Sequence, residues 1–354
     1  MNVRSLLSVV FLAGLLTACD AAPSVAPEIS APMTARHATS SWHLYVANLD
    51  NTVTVYDPGG TTPVETISQN ISGPEKIRFG RTGSVYVLNC GLCSRTGGGS
   101  VTVYGAHNHP YLRTISDGLN YPTDIALDST GNLYVANENA DTVTVYPPGG
   151  TKVARTITDG ISQPNSLAVD SSGRVYVANF SRTTRGSVTV YDGKTGGLLE
   201  TIPDLGYVGP IIIGPGGDLY AIVDGNGSSA ESYVGVFPWH HVKPTLKIST
   251  RGDLATSLAV DPAGATYVTQ CNYLCFYSSK YGVGWIQQYG PKGYPIGMLK
   301  RKGDIPLALA FGGDGHLYAA YANNEVLGYS PPSKKPFIVI TNGVSYPLAV
   351  ASGP

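Results

Sequence analysis

The phrase Leu-Tyr-Val-Ala-Asn occurs twice, at Leu44–Asn48 and Leu133–Asn137, and each copy is soon followed by Thr-Val-Thr-Val-Tyr, at Thr52–Tyr56 and Thr142–Tyr146. Weaker copies centre on Tyr86, Tyr176, Tyr220, Tyr267 and Tyr318, so seven equivalent tyrosines recur about 41 to 51 residues apart. A unit of that length cannot bury its own apolar surface and must stack on its neighbours. One full period, Pro122 to Thr158, divides into four short runs: Thr123–Asp128, Asn132–Asn137, Thr142–Tyr146 and Val153–Thr158. Gly- and Pro-containing turns separate the first two runs and the last two. Seven repeats of four short antiparallel strands predict an all-β chain folded as a seven-bladed β-propeller.

The ends of the repeat region say how the ring closes. The first copy opens at its second strand, His43 to Asn48, with no innermost strand before it. The chain finishes on Tyr346-Pro347-Leu348-Ala349-Val350, an innermost strand with nothing after it. Pairing this C-terminal strand with the N-terminal three completes the seventh blade and removes two sheet edges that would invite aggregation. The repeat also accounts for the aromatic content. Seven tyrosines hold the second-strand position, and Tyr56, Tyr104, Tyr146, Tyr191, Tyr289 and Tyr329 end the third strands, with Phe237 in the remaining copy. Thirteen of the 23 tyrosines are thereby assigned to packing between blades.

Residues 1–18 read as a signal peptide, with Arg4 ahead of an apolar run, Leu6 to Leu16, too short to span a bilayer. The run ends in Leu16-Thr17-Ala18-Cys19, which resembles the lipobox of bacterial lipoproteins. That resemblance implies cleavage before Cys19, acylation of its thiol with palmitate-type chains, and a protein anchored to a bacterial membrane, facing the periplasm or the cell exterior. Residues 19–42, rich in Ala, Pro and Ser, form a tether, and 43–354 the propeller. With 13% charged residues, a formal net charge of −1 and no basic stripe, nucleic acid is excluded as a partner and a monomer is expected. No second apolar span follows, so lipid would be the membrane attachment. In an exported chain Cys90, Cys93, Cys271 and Cys275 are expected to form disulfides, two local bridges clamping two loops.

The consensus Pro-x-x-(Leu/Ile)-Ala-(Val/Leu)-Asp-x-x-Gly-x-(Leu/Val)-Tyr-Val-Ala-Asn resembles NHL-repeat and related lyase- and lactonase-like propellers over nearly the whole repeat region. In such propellers the turns after the second strands share the functional face. Here those turns start at Asn48, Asn89, Asn137, Asn179, Asp224, Cys271 and Ala322. The asparagines and Asp224 have two readings. They cap tight turns with their own side chains, or they line a Ca²⁺ or Mg²⁺ site of a metal-dependent lactonase or lyase, as the resemblance implies. No catalytic base joins them, because His43, His107, His109, His240, His241 and His316 all fall on the opposite face.

Function is sought where the repeat fails. Ala126, Ala168, Ala259, Ala310 and Ala349 share one position of the innermost strand, where the second copy has Arg78, and Lys76 stands in the slot held by Asp124 one copy later. Arg78 and Lys76 either hold an anionic group of a ligand or pair internally, with Glu75 or Asp124. Four of the turns are long: Asn89–Ser100, Asn179–Ser187, Val223–Ser232 and Gln270–Val283. Long loops on one face of a rigid scaffold are where binding specificity usually sits. The expected function is a membrane-anchored binding or scaffold lipoprotein whose partner is a protein or a cell-envelope polysaccharide. The alternative is the metal-dependent lactonase or lyase. Arg251-Gly252-Asp253, an adhesion-like tripeptide, lies in a turn before an innermost strand.

Overall fold

The computed structural model describes residues 42–90, 98–180, 185–225, 230–250, 254–271, 283–301 and 304–354. They form seven four-stranded antiparallel sheets. Each sheet is one blade. Blade 1 holds His43–Asn48, Thr52–Tyr56 and Glu65–Ile67, and blades 2 to 7 begin at the innermost strands Pro74–Phe79, Pro122–Leu127, Pro164–Val169, Tyr207–Ile213, Leu254–Val260 and Pro306–Phe311. Blade 1 takes its own innermost strand from the far end of the chain: Pro347–Gly353 pairs antiparallel with His43–Asn48. The expected closure is therefore the one observed. Neighbouring innermost strands touch all the way round and form the wall of the central channel. Among the described residues the helical content is one short turn, Glu138–Ala140, and no helix is long and apolar enough to cross a membrane.

The two middle strands of a blade are covered on both faces by neighbouring blades. Leu133–Asn137 is buried throughout, and Thr142–Tyr146 is buried after its first residue. Such strands favour β-branched and aromatic side chains. The Thr-Val-Thr-Val alternation suggests a half-exposed strand, yet Thr54, Thr102, Thr144 and Thr189 are all buried. Their hydroxyls are satisfied inside the ring. The outer strands do alternate with solvent, as in Leu246–Ser249.

The tyrosines assigned to packing are buried, Tyr220 being half-buried. Their hydroxyls are also used. At the third-strand ends Tyr56 donates to Asn342 O at 2.7 Å, Tyr146 to Asp117 O at 2.5 Å and Tyr289 to Ser249 O at 3.0 Å, while Tyr104 and Tyr191 donate to Gln69 O and Asp159 O. Four of these acceptors lie in the segment entering that tyrosine's own blade, and Ser249 ends the outer strand just before it. At the second-strand position Tyr134 and Tyr176 donate to Asp128 and Asp170 of their own Asp-x-x-Gly turns, and Tyr318 donates to Asp314 of the Gly-Gly-Asp-Gly turn that replaces it in blade 7. The aspartate closes the turn by accepting backbone N–H groups, as Asp128 Oδ1 does from Thr130 and Asn132, both at 2.9 Å. The glycine is required because the chain reverses through a left-handed residue, φ +89° at Gly131 and +81° at Gly173.

Strand register corrects two alignments. Ala351 pairs with Tyr45 as Ala126 pairs with Tyr134, so Ala351, and not Ala349, is the blade 1 counterpart of Arg78. Blade 5 holds Ile212 there, opposite Tyr220. The residues equivalent to Asn137 in blades 5, 6 and 7 are Val223, Gln270 and Tyr321, each one place before the expected Asp224, Cys271 and Ala322.

Removing residues 347–354 should leave His43–Asn48 as an exposed edge and withdraw the buried Ala349, Val350 and Ala351. The truncated chain is expected to aggregate on size exclusion and to lose its cooperative thermal transition. An unchanged melting curve would contradict this account of closure.

Candidate functional site

The rim asparagines are structural ties. Asn48, Asn89, Asn137 and Asn179 are buried at the ends of their second strands. In each, Nδ2 donates across the blade to two third-strand hydroxyls: Thr52 and Thr54, Ser100 and Thr102, Thr142 and Thr144, Ser187 and Thr189. In each, Oδ1 accepts a backbone N–H from the segment entering the blade: Ser345 at 3.0 Å, Ser72 at 3.2 Å, Asn120 at 3.1 Å and Ser162 at 3.1 Å. Both ends of the amide are thus spent on the fold. The reading of these side chains as an open metal or ligand shell is replaced by this one. The turn-cap reading is refined too, since the partners belong to the adjoining strand and the incoming segment. Asp224, one residue past the shared slot, accepts from Ser232 Oγ at 2.6 Å.

A second tie joins one blade to the next. Asn51, Asp141 and Asn324 sit in left-handed conformations, φ +66°, +52° and +66°, in the short turns after the second strands of blades 1, 3 and 7. Their Oδ1 atoms accept the N–H of Gly73, Gln163 and Tyr346 at 2.7, 2.6 and 2.6 Å, each at the entrance of the following blade. Asn and Asp suit such turns because they tolerate the left-handed region and carry a short acceptor. The longer connections fall in blades 2, 4 and 6, whereas in blade 5, expected to carry a long loop over Val223–Ser232, the second strand runs on to Gly225 and the third begins at Ala230.

The charged departure lies on the channel wall. Arg78, on the innermost strand of blade 2, donates from Nη2 to Asp124 Oδ1 of blade 3 at 3.0 Å and from Nη1 to Ile77 O at 3.1 Å. Asp124 is fully buried. Its Oδ1 also accepts from Ile125 N, and its Oδ2 from Ser166 Oγ and Leu167 N of blade 4, both at 3.0 Å. Ser166 Oγ in turn accepts from Ile211 N of blade 5 at 3.2 Å. One polar chain so links four consecutive innermost strands. Of the internal partners weighed for Arg78, the structure selects Asp124. Glu75 and Lys76 are buried beside it. Burial pushes the Glu75 carboxyl well up, against the pull of Lys76, and its Oε2 has no hydrogen-bond partner. Burial likewise pushes the Lys76 ammonium down, with Asp124 and Glu75 opposing.

On the opposite face His109 bridges two blades, its Nδ1 2.6 Å from Glu65 Oε2 and its Nε2 2.9 Å from the Tyr45 hydroxyl, which donates to Pro354 O. These contacts fasten the seam. Among the described residues no three His, Cys, Asp or Glu side chains are gathered as a metal site. Cys90 and Cys271 are buried and disulfide-bonded. Cys93 and Cys275, Cys19 with its signal segment, and Arg251-Gly252-Asp253 lie outside the described residues.

No family model matches the sequence, and no curated protein does. Among solved structures the chain is similar to Kuenenia stuttgartiensis hydrazine synthase, at a TM-score of 0.66 and 17% identity over 80% of this chain and 91% of that one. At that identity the likeness is one of fold. Because 1445 solved chains match, it points to a widely used architecture and to no activity in particular.

Asn137→Ala strands the N–H of Asn120 and removes the amide that ties Thr142 and Thr144 to the second strand, and should cost about 1–3 kcal/mol in urea unfolding. Arg78→Ala removes the cation hydrogen-bonded to the buried Asp124 and should cost about 3–5 kcal/mol. Adding Asp124→Ala should recover part of that loss, since blades 1 and 7 carry Ala349 and Ala308 in the same slot. Glu75 holds a proton in the folded state that the unfolded chain releases near pH ~4.3, so its burial costs stability as pH rises above that value. The melting temperature of Glu75→Gln relative to wild type should therefore climb between pH 5 and pH 7.5.

Proposed function

We propose that this protein is a lipid-anchored, extracytoplasmic binding module that presents the long loops of blades 2, 4 and 6 to a partner on the cell envelope. The observation that carries this reading is the length of the connections after the second strands. Blades 1, 3 and 7 close these strands with short turns whose Asn or Asp acceptors hold the next blade at 2.6–2.7 Å. In blades 2, 4 and 6 the chain between Asn89 and Ser100, Asn179 and Gly186, and Cys271 and Gly284 is longer than such a turn requires, and long loops on one face of a rigid scaffold are where binding specificity usually sits. Cysteines follow the shared slot in two of these loops, at Cys90 and Cys271, and both are disulfide-bonded. Local pairing, Cys90 with Cys93 and Cys271 with Cys275, would hold the loops in shape and reduce the entropy lost on binding. The lipobox-like Leu16–Cys19 and the Ala/Pro/Ser-rich tether to residue 42 supply the anchor and the reach.

Two experiments test the reading. Metabolic labelling with tritiated palmitate should mark the wild type and spare Cys19→Ala, and an unlabelled wild type contradicts the anchor. For the loops, residues 180–186 of blade 4 are replaced by Glu-Asn-Ala-Asp, the turn of blade 3. The variant should fold with equal or greater stability and lose chemical cross-links to envelope partners that the wild type forms. Retention of every cross-link, in this variant and in the equivalent blade 2 and blade 6 variants, would overturn it.

A further inference from the structure

The folded ring gathers cations that the linear sequence scatters. In blades 5, 6 and 7 the chain between the third strand and the end of the outer strand covers residues 238–249, 290–300 and 330–340. These segments contain Lys243, Lys247, Lys292, Lys300, Lys334 and Lys335, and neither Asp nor Glu. All six lysines are exposed. The acids that lie between Lys300 and Lys334 in sequence are engaged elsewhere. Arg301 pairs with Asp304 and Glu325, and Asp314 accepts from the N–H of His316 and the Tyr318 hydroxyl. The rim changes character on the other side of blade 5, where the outer strand of blade 4 carries Glu200 and Asp204. In blade 3, Lys152 reaches Asp117 at 3.4 Å.

Apolar side chains stand among these lysines. Tyr294 and Ile296, 73% and 60% exposed, are the most exposed large apolar residues among those described, and Met298, Phe337 and Val339 are exposed with them. Blades 6 and 7 are neighbours in the ring, so their outer strands lie side by side on the rim. Pro295 and Pro336 open both strands, and proline with flanking lysine blunts an edge against pairing with another strand. A second copy of the chain would bring the same lysines against their like. An anionic bilayer suits both halves of the patch, since ammonium groups meet the headgroups while Tyr, Phe and aliphatic side chains enter the interface. The layout of the chain puts this flank towards the anchor. Trp42, at the start of the described residues, is buried against blade 7, its ring 5.8 Å from that of Tyr318 and so close to Gly313 that a Cβ there would stand 2.7 Å away. The Phe337 ring lies 6.2 Å from the same Tyr318. The segment leading back to Cys19 thus leaves the ring beside the exposed outer strand of blade 7.

We propose that the outer edges of blades 6 and 7, with the lysines of blade 5 beside them, are a docking surface for a bilayer that carries anionic headgroups, so that the ring stands on its rim against the membrane. The proposal rests on the lipid anchor only for the nearness of a bilayer, and its test leaves the anchor out, so failure of palmitate labelling and failure of docking are separate results. Residues 20–354 contain every strand of the closed ring and lack both Cys19 and the apolar run before it. This chain is sedimented with vesicles of phosphatidylcholine, alone or mixed with phosphatidylglycerol at about 7:3. It should bind the mixed vesicles at least about tenfold more tightly, and binding should weaken as salt is raised. Tyr294→Asp/Ile296→Asp should melt as wild type and lose at least about tenfold in binding, and Lys334→Glu/Lys335→Glu, on the other blade, should lose the preference for anionic vesicles. Leu112→Asp/Leu199→Asp alters exposed outer-strand residues of blades 2 and 4 and should leave binding unchanged. The proposal is overturned by absence of vesicle binding, by equal binding to both vesicle types, or by equal losses in the blade 6 and the control variants. Self-association abolished by Tyr294→Asp/Ile296→Asp with vesicle binding intact would overturn it in favour of a second copy.

Discussion

Everything in this ring depends on satisfying the backbone where the chain crosses from one blade into the next. These entry segments lie outside the strand ladders, yet they are pressed against the inner wall, where an unpaired N–H or carbonyl would be costly. Side chains make up the deficit. The asparagine at the end of the second strand takes one N–H of the incoming segment, the left-handed Asn or Asp of the preceding blade takes the next, and the third-strand tyrosine donates to a carbonyl of the same segment. The seam is built in the same way from Asn48, Asn324 and Tyr56, although their partners lie almost three hundred residues away in sequence or just beyond a chain reversal. The ring does not need a special lock because the closing blade reuses the bonds of the others.

This economy explains which residues are free for function. A residue type that recurs in register is engaged in holding the ring, and the buried amides of Asn137 and its counterparts leave nothing to offer a ligand. Residues that interrupt the register carry the remaining chemistry. The long loops of blades 2, 4 and 6 stand where other blades have a short turn. Arg78 replaces an alanine with a cation that reaches Asp124 of the next blade. In the absence of a matching family, such interruptions are a physical guide to function that does not rely on relatives.

Much of this was legible in the sequence because propeller repeats are local. The tyrosine spacing, the four strands per unit and the origin of the closing strand followed from pattern alone. The roles of Thr54 and Thr144 did not, since alternating threonine and valine look the same whether the hydroxyls meet water or a buried amide. Register failed where a bulge intervenes. Every innermost strand has one close to its outer-face end, and in blade 5 it takes up the two residues between Val208 and Ile211. Matching Leu348-Ala349 to Ile125-Ala126 therefore put Ala349 in the slot that Ala351 occupies, while Asp224, one place past Val223, falls in an irregularity of the second strand itself. For Arg78 the sequence allowed Glu75 or Asp124 as partner. The choice turns on how a strand edge faces the channel, which no linear pattern records.

The central claim is that asparagine and aspartate side chains secure the blade entries as firmly as a strand ladder would. Native-state hydrogen exchange of the amides of Ser72, Gly73, Ser162, Gln163, Ser345 and Tyr346 measures this directly, since all six lie in bends outside the strands. The account predicts protection comparable to that of Val135 and Val177 in the adjoining second strands, even for Ser72, which is exposed. Exchange of these six amides at the rate of an open loop would contradict it.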